Sequence, residues 1–441
     1  MLAKKTAQLL ATVLALVHLA AAASPLAATE VPAPARAVSP AAPAVAFDSS
    51  AATRAYLDRL TPEQKEHSDA YFEGGYWLKL WGFLYGLVVA WLLLSRGFSR
   101  RMREVAERLA SGWLVSVLYG AQYLLATTLL YLPLGLYAGY FREHQYGLSN
   151  QTLGAFFIDE AKGLGVSLVL GSLAIGLLYA VLRAAPRTWW VWGTVVTVVF
   201  LMFASAILPI FILPLFNDYT RLEDPAVREP ILSLARANGV PAHDVWVSDA
   251  SRQTKRISAN VSGFAGTERI TLNDNLLARC TLPEIRAVMA HEIGHYALNH
   301  MVKGMLFSAA LFAAGFAFLA WSFERARQRW GESWGIRGVD DPAGLPLFAA
   351  LLSVFFFFAM PVTTTISRTM EAEADLFGLN AAQEPDGFAE VALKLAEYRK
   401  LEPSAIEELL FFDHPSGKSR IEMAMRWKAE QLGTALPDPE P

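Results

Sequence analysis

Six stretches of this chain are apolar for long enough to cross a bilayer as helices, and this constrains its fold more than any other feature. A helix needs about 20 apolar residues to span the hydrocarbon core. Residues 76–94, 113–140, 161–182, 189–215, 303–323 and 345–366 all come close to or exceed that length. A chain of 441 residues would otherwise suggest two or three soluble domains. Instead, a hydrophobic fraction of 54%, 12 Trp and a mean hydropathy of +0.31 describe a polytopic membrane protein with a modest polar part.

The spans divide the chain. Residues 1–23 carry Lys4 and Lys5, then an apolar run ending in Ala21-Ala22-Ala23-Ser24. That layout is a signal peptide cleaved after Ala23, or alternatively an uncleaved N-terminal membrane segment. Residues 24–50 are an Ala/Pro-rich linker, expected to be extended. Residues 51–215 hold four spans, entered by a polar lead-in with a helix start at Thr61-Pro62-Glu63-Gln64. In the fourth span, Pro209 and Pro214 predict a break near its end.

Residues 216–303 form a polar segment, expected to fold as a helix over 224–239 and strands over 245–247 and 269–272. Gly263 and Gly266 should mark a turn, and 257–264 reads as an edge strand. Residues 304–366 hold two further spans. Residues 367–432 return to polar helices, over 385–399 and 404–412, and 433–441 are a Pro-rich tail. A net charge of −3, with no basic stripe, excludes a nucleic-acid binder. The single Cys280 excludes an internal disulfide and any multi-cysteine metal site.

Chemistry concentrates at Ala290-His291-Glu292-Ile293-Gly294-His295. Thr281 can cap a helix here, Pro283 and Glu284 suit its first turn, and Ile285, Val288, Met289 and Ile293 recur at helical spacing. Positions i and i+4 share a face, so His291 and His295 present two imidazoles to one ion. Glu292 stands beside them as a general base. A plain helix with two exposed histidines satisfies the same three positions, so a further ligand has to be found. A catalytic zinc takes three protein ligands and keeps a fourth position open. Beyond the sixth span, Glu371 and Asp375 lie one turn apart. The first is suited to bind the metal, and the second to hold a ligand imidazole or a nearby arginine. Glu373 points elsewhere on a helical wheel and is the weaker candidate.

The zinc motif, Ser367-Arg368 with Glu371 and Asp375, Glu143-His144-Gln145-Tyr146-Gly147-Leu148-Ser149 with Gln151-Thr152, and His414-Pro415-Ser416 with Arg420 together resemble the type I CAAX prenyl protease family. The resemblance covers about residues 50 to 430. Proteins of that family are integral-membrane zinc metalloproteases. The implied fold is a predominantly α-helical polytopic membrane protein, with six spans plus the N-terminal signal or anchor segment and a zincin-like α+β metalloprotease domain. The resemblance further implies one zinc per chain, Glu371 as third ligand, and His414 helping to polarise the scissile carbonyl. It also implies Asn260 in an extended segment that pairs with the substrate backbone, and a large chamber enclosed by the spans.

The expected activity is zinc-dependent endoproteolysis of a peptide or protein substrate in or at a lipid bilayer, with CAAX-type C-terminal processing first among its forms. His291, His295 and Glu371 would hold the metal, Glu292 would move the proton, and His414 with Arg368 would stabilise the oxyanion or its surroundings. Two alternatives stand beside this: a quality-control protease with no prenyl requirement, and a non-catalytic membrane scaffold, against which the intact Glu292 argues. The basic stretches at 96–108, 183–187 and 325–337 alternate along the spans. The positive-inside rule therefore assigns them to the cytoplasm and the metal site to the opposite face of a bacterial inner membrane.

Overall fold

The computed structural model describes residues 47–263 and 268–433. The expected N-terminal signal or anchor (1–23), nearly all of the linker, Gly266 and the tail from 434 lie outside the described residues. In chain order the helices before the sheet are α1 (Ser49–Leu57), α2 (Pro62–Ser95), α3 (Phe98–Leu109), α4 (Leu114–Gln145), α5 (Leu153–Ala184) and α6 (Trp189–Leu215). Next come β1 (Tyr219–Arg221), α7 (Pro225–Ala237), β2 (Val245–Ser248), β3 (Ala259–Ser262) and β4 (Arg269–Asn273). The chain continues through α8 (Asp274–Arg279), α9 (Leu282–Ala297), α10 (His300–Trp334), α11 (Leu345–Ala382), α12 (Pro385–Leu395), α13 (Ala405–Phe411) and α14 (Gly417–Gln431).

Among the described residues, helices α2, α4, α5, α6, α10 and α11 are the six long and apolar enough to cross a membrane. Most run beyond the apolar stretch that predicts them, because helix propensity and caps continue where hydrophobicity stops. Thr61 Oγ1 accepts from the Gln64 backbone N–H, and Gln64 Oε1 accepts from the Thr61 N–H. The polar lead-in therefore begins the same helix that becomes the first span. The fourth span loosens near its prolines, with a π-turn at Leu208–Ile212 and a 3-10 turn at Leu213–Leu215. The basic stretch after the first span is the helix α3, not an open loop. Similarly, the basic residues 325–329 continue α10 until Gly335 stops it in a left-handed conformation, at φ 70°.

Successive spans reverse direction, so the links after the first, third and fifth spans gather at one end. Buried Arg103 of α3 lies 2.5 Å from Asp341, and Arg337 pairs with Glu107 at 2.5 Å. Arg183 donates to Ser116 Oγ at 2.9 Å. At the other end sits a four-stranded sheet in the order β1-β2-β4-β3, with β2 and β4 parallel and both flanking pairs antiparallel. Its core of Val245, Ile270, Leu272, Ile231, Met289 and Ile293 packs the sheet on α7 and α9. β3 pairs with β4 on one side only and is an edge. Asn273 holds the approach to it, accepting from Ser258 N–H at 3.1 Å and donating to Arg256 O at 2.7 Å.

Candidate active site

Helix α9 starts where the sequence predicts. Thr281 N–H donates to Glu284 Oε2 at 2.7 Å, and Lys394 of α12 donates to the same buried oxygen at 2.6 Å. Its second half packs on α11 through two glycines. A Cβ on Gly294 would meet Phe377 Cδ1 at 3.0 Å and the Ala374 backbone at 3.3 Å; one on Gly378 would meet His291 N at 3.0 Å. The two backbones come this close because neither glycine carries a side chain, and the approach brings acidic residues of α11 onto the histidine face of α9.

Three donor groups converge there: His291, His295 and Glu371 offer atoms all within 4.8 Å of one another. The two Nε2 atoms are 3.1 Å apart, His291 Nε2 is 3.2 Å from Glu371 Oε2, and His295 Nε2 is 3.5 Å from Glu371 Oε1. A tetrahedral zinc with ligands at about 2.0–2.1 Å has edges of about 3.3–3.4 Å. The observed separations bracket that value, so the residues fit a small divalent cation of zinc's size.

Both imidazoles are steered from behind. Fully buried Asp375 places Oδ1 2.7 Å from His291 Nδ1, which assigns the proton to Nδ1 and the lone pair to Nε2. Arg420 holds the same Oδ1 at 2.6 Å. His295 Nδ1 lies 2.9 Å from His300 Nδ1, and His300 Nε2 lies 3.1 Å from Glu373 Oε2, which also receives Lys303 Nζ at 2.8 Å. With His300 donating to the carboxylate from Nε2, its Nδ1 accepts from His295, leaving His295 Nε2 free to ligate. Burial opposes a charged His291, but its contacts with Asp375 and Glu371 outweigh this and raise its pKa to about 9. A cation entering the site therefore displaces a proton.

Glu292 lines the cleft beside His291. Burial raises its pKa above the ordinary carboxylate value, against the opposing pull of the two histidines. That direction suits a general base. His414 reaches the centre from the loop before α14, with Nε2 3.2 Å from Glu371 Oε2 and Nδ1 2.8 Å from Asp413 Oδ1. The hydrogen bond from His414 holds the Asp413 carboxyl below its usual range, ahead of the opposing effect of burial. Arg368 contacts the segment that leads to His414: it donates to the Glu408 and Phe412 carbonyls, both at 2.7 Å, and so fixes that segment. Asn260 is exposed on β3, opposite Thr271, and the preceding Ser258 and Ala259 line the cleft. Glu143 joins Tyr71 (2.6 Å) to Arg256 (2.7 Å), two residues before Ser258.

In the sequence alone His300 has no evident role, Glu373 stands second to Glu371, and Arg420 is only part of a motif. His300 follows His295 by five residues, off the shared helical face. Asn299 in a left-handed conformation, φ 56°, breaks the helix between them and turns His300 back. Glu373 does point away from the ligands on α11, but toward His300.

Two imidazoles and a carboxylate around one point, with a cleft-lining carboxylate next to them, meet the needs of metal-assisted peptide hydrolysis. Set against membrane-length helices, they define a membrane metallopeptidase. A family model described as Peptidase family M48 matches residues 221–428, and one described as CAAX prenyl protease N-terminal, five membrane helices, matches residues 48–218. The chain belongs to the CAAX prenyl protease family. It is 28% identical over 349 residues to the uncharacterized metalloprotease YhfN of Bacillus subtilis, covering 78% of this chain and 82% of that one. It is 30% identical over 257 residues to a CAAX prenyl protease 1 homolog of Oryza sativa subsp. japonica, covering 58% of this chain and 60% of that one. The fold is similar to the crystal structure of S. mikatae Ste24p, with a TM-score of 0.70 at 23% identity, over 85% of this chain and 94% of that chain.

Proposed function

We propose that this metallopeptidase is a zinc endopeptidase with one ion per chain, held by His291, His295 and Glu371, and that it processes C-terminal peptides of the CAAX type. The observation that carries the reading is the convergence of His291, His295 and Glu371, whose nearest donor separations of 3.1, 3.2 and 3.5 Å suit a tetrahedral ion. Relatives such as the CAAX prenyl protease 1 homolog of Oryza sativa suggest the substrate class. When bound, zinc supplies a Lewis acid that polarises a carbonyl and acidifies a water.

The remaining work falls to side chains. Glu292 accepts a proton from the attacking water and returns it to the leaving amine. His414, its Nδ1 held by Asp413, stabilises the charge that develops on the carbonyl oxygen. Arg368 acts through the loop it fixes. An extended substrate adds to the open side of β3 by backbone hydrogen bonds, with Asn260 alongside. The basic links gather at the end away from the sheet, which supports a metal site on the non-cytoplasmic face, periplasmic in a bacterial inner membrane.

The test is hydrolysis of a quenched fluorescent peptide by the purified protein and by Glu292→Gln, with zinc determined for both. About one zinc in each, with activity in the wild type and a loss of about 10²–10⁴-fold in the variant, is the expected result. Absence of bound metal in the wild type would overturn the reading. Matched peptides with and without a prenyl group decide whether the substrate is lipidated.

A further inference from the structure

A cleft of about 240 Å³ opens beside His291 and Glu292, between Ile257–Ala259 and the α12 face that carries Phe388, Val391 and Leu395. One guanidinium, that of Arg399, lines this otherwise largely apolar wall just beyond α12. The other cationic or potentially cationic groups around the cleft each have a carboxylate. Arg420 lies 2.6 Å and His291 2.7 Å from Asp375, and His414 lies 2.8 Å from Asp413. Arg399 has no hydrogen bond, ion pair or ring contact with any described residue.

Its situation is costly. The side chain is only partly exposed, and burial, reinforced by the like charge of Arg420, lowers its pKa; the adjacent Tyr398, then Asp413 and Glu371, favour its charge, and neither carboxylate touches it. An arginine keeps its proton even so, because its pKa starts above 12. A half-buried cation lacking a partner in the fold is suited to an anion that arrives with a ligand, and the planar fork of arginine matches a carboxylate with two parallel hydrogen bonds.

We propose that Arg399 determines specificity in this cleft by binding a carboxylate of the substrate: the α-carboxylate of a short C-terminal peptide, or an acidic side chain close to the scissile bond. This rests on the peptidase reading above and adds to it a preference that the metal ligands do not explain. Lysine in its place would keep the charge and lose the fork.

The test compares three quenched peptides built on one parent sequence, using the full-length zinc-loaded protein. One has a free C-terminus, one is amidated, and one is amidated with Glu on the C-terminal side of the cleaved bond. The wild type is expected to favour one of the carboxylate peptides over the plain amide by about 10- to 100-fold in kcat/KM, mainly through KM. Arg399→Gln should bring that ratio to within about twofold, and Arg399→Lys should leave an intermediate ratio. Whichever carboxylate peptide is favoured identifies the source. Equal use of all three peptides by the wild type, an undiminished ratio in Arg399→Gln, or an equal loss on every peptide would overturn the proposal. If the wild type cleaves none of them, the peptidase reading fails, and calorimetric binding of a tripeptide and its amide then decides. A preference for the acid in the wild type that is lost in Arg399→Gln supports the proposal, and equal binding overturns it.

Discussion

Replacing Asp375 by Asn tests whether one buried carboxylate does two separate jobs. The side chain is fully buried, with Arg420 Nη2 2.6 Å and His291 Nδ1 2.7 Å from the same Oδ1. Asn preserves the shape and removes the charge, leaving Arg420, itself only 8% exposed, without its counter-ion. Breaking a buried pair by neutralising one member costs about 3–5 kcal/mol. At roughly 2 °C per kcal/mol, the lower end for large domains, the apparent Tm should fall by about 6–10 °C. Separately, loss of the group that orients a ligand imidazole weakens metal binding by about 10- to 100-fold. Thermal unfolding in detergent reads the first effect, and zinc competition against a chromophoric chelator reads the second.

The double variant Asp375→Asn/Arg420→Met separates the two. It should recover about 2 kcal/mol of the stability lost, because no unpaired cation remains, while the zinc affinity stays low because His291 still lacks its carboxylate. Zinc affinity within twofold of wild type in Asp375→Asn would refute the orienting role. Strictly additive stability losses would refute the ion pair as a coupled unit.

Gly378→Ala puts a Cβ 3.0 Å from the His291 backbone N, whereas Gly75→Ala on α2 meets nothing within 4 Å. The control should gain up to about 1 kcal/mol of helix propensity, while at Gly378 an overpacking cost of about 1–3 kcal/mol cancels or reverses it and weakens zinc binding; equal unfolding temperatures for the two variants would count against the close approach. Cys280 is half-buried beside α9, and burial raises its pKa to about 11. Only the thiolate reacts, so alkylation by iodoacetamide at pH 8 should run about a hundredfold slower than for an ordinary thiol, and accelerate tenfold per pH unit until about pH 11. A rate that levels off near pH 8.5 would contradict that.

The sequence revealed what a single helix can reveal. The 3.6-residue period set His291 with His295 and Glu371 with Asp375, and hydrophobic length located six spans, because both properties belong to one continuous segment. Contacts between segments were less legible. Gly294 and Gly378 are small residues in apolar surroundings until the facing backbones are in position. The partnership of His300 with His295 depends on a left-handed residue at Asn299, and no pattern in the chain calls for asparagine there. Arg399 looked like the last residue of an amphipathic helix, and its importance comes from what fails to touch it. The end of the fifth span lies beyond its apolar stretch, at Trp334. Arg325, Arg327 and Arg329 are good helix formers as well as signals of a membrane boundary, and here helix propensity won.

Helix α11 runs unbroken for 38 residues from the fifth inter-span link through the sixth span to the far side of the metal site. From Leu345 to Glu371 the axis is about 39 Å long at 1.5 Å per residue. It is therefore a lever with one end buried beside the inter-span links, where Leu345, Leu347 and Phe348 are packed, and the proposed metal ligand Glu371 toward the other. A pivot of one degree about Leu345 would carry Glu371 about 0.7 Å, several times the roughly 0.2 Å within which ligand distances are held. Bilayers of different thickness tilt long spans by many degrees. The helix is accordingly held at both ends, by the buried Leu345, Leu347 and Phe348 at one and by the close approach of Gly294 and Gly378 to the facing helix at the other, so that a change in the membrane has to move α9 and α11 together.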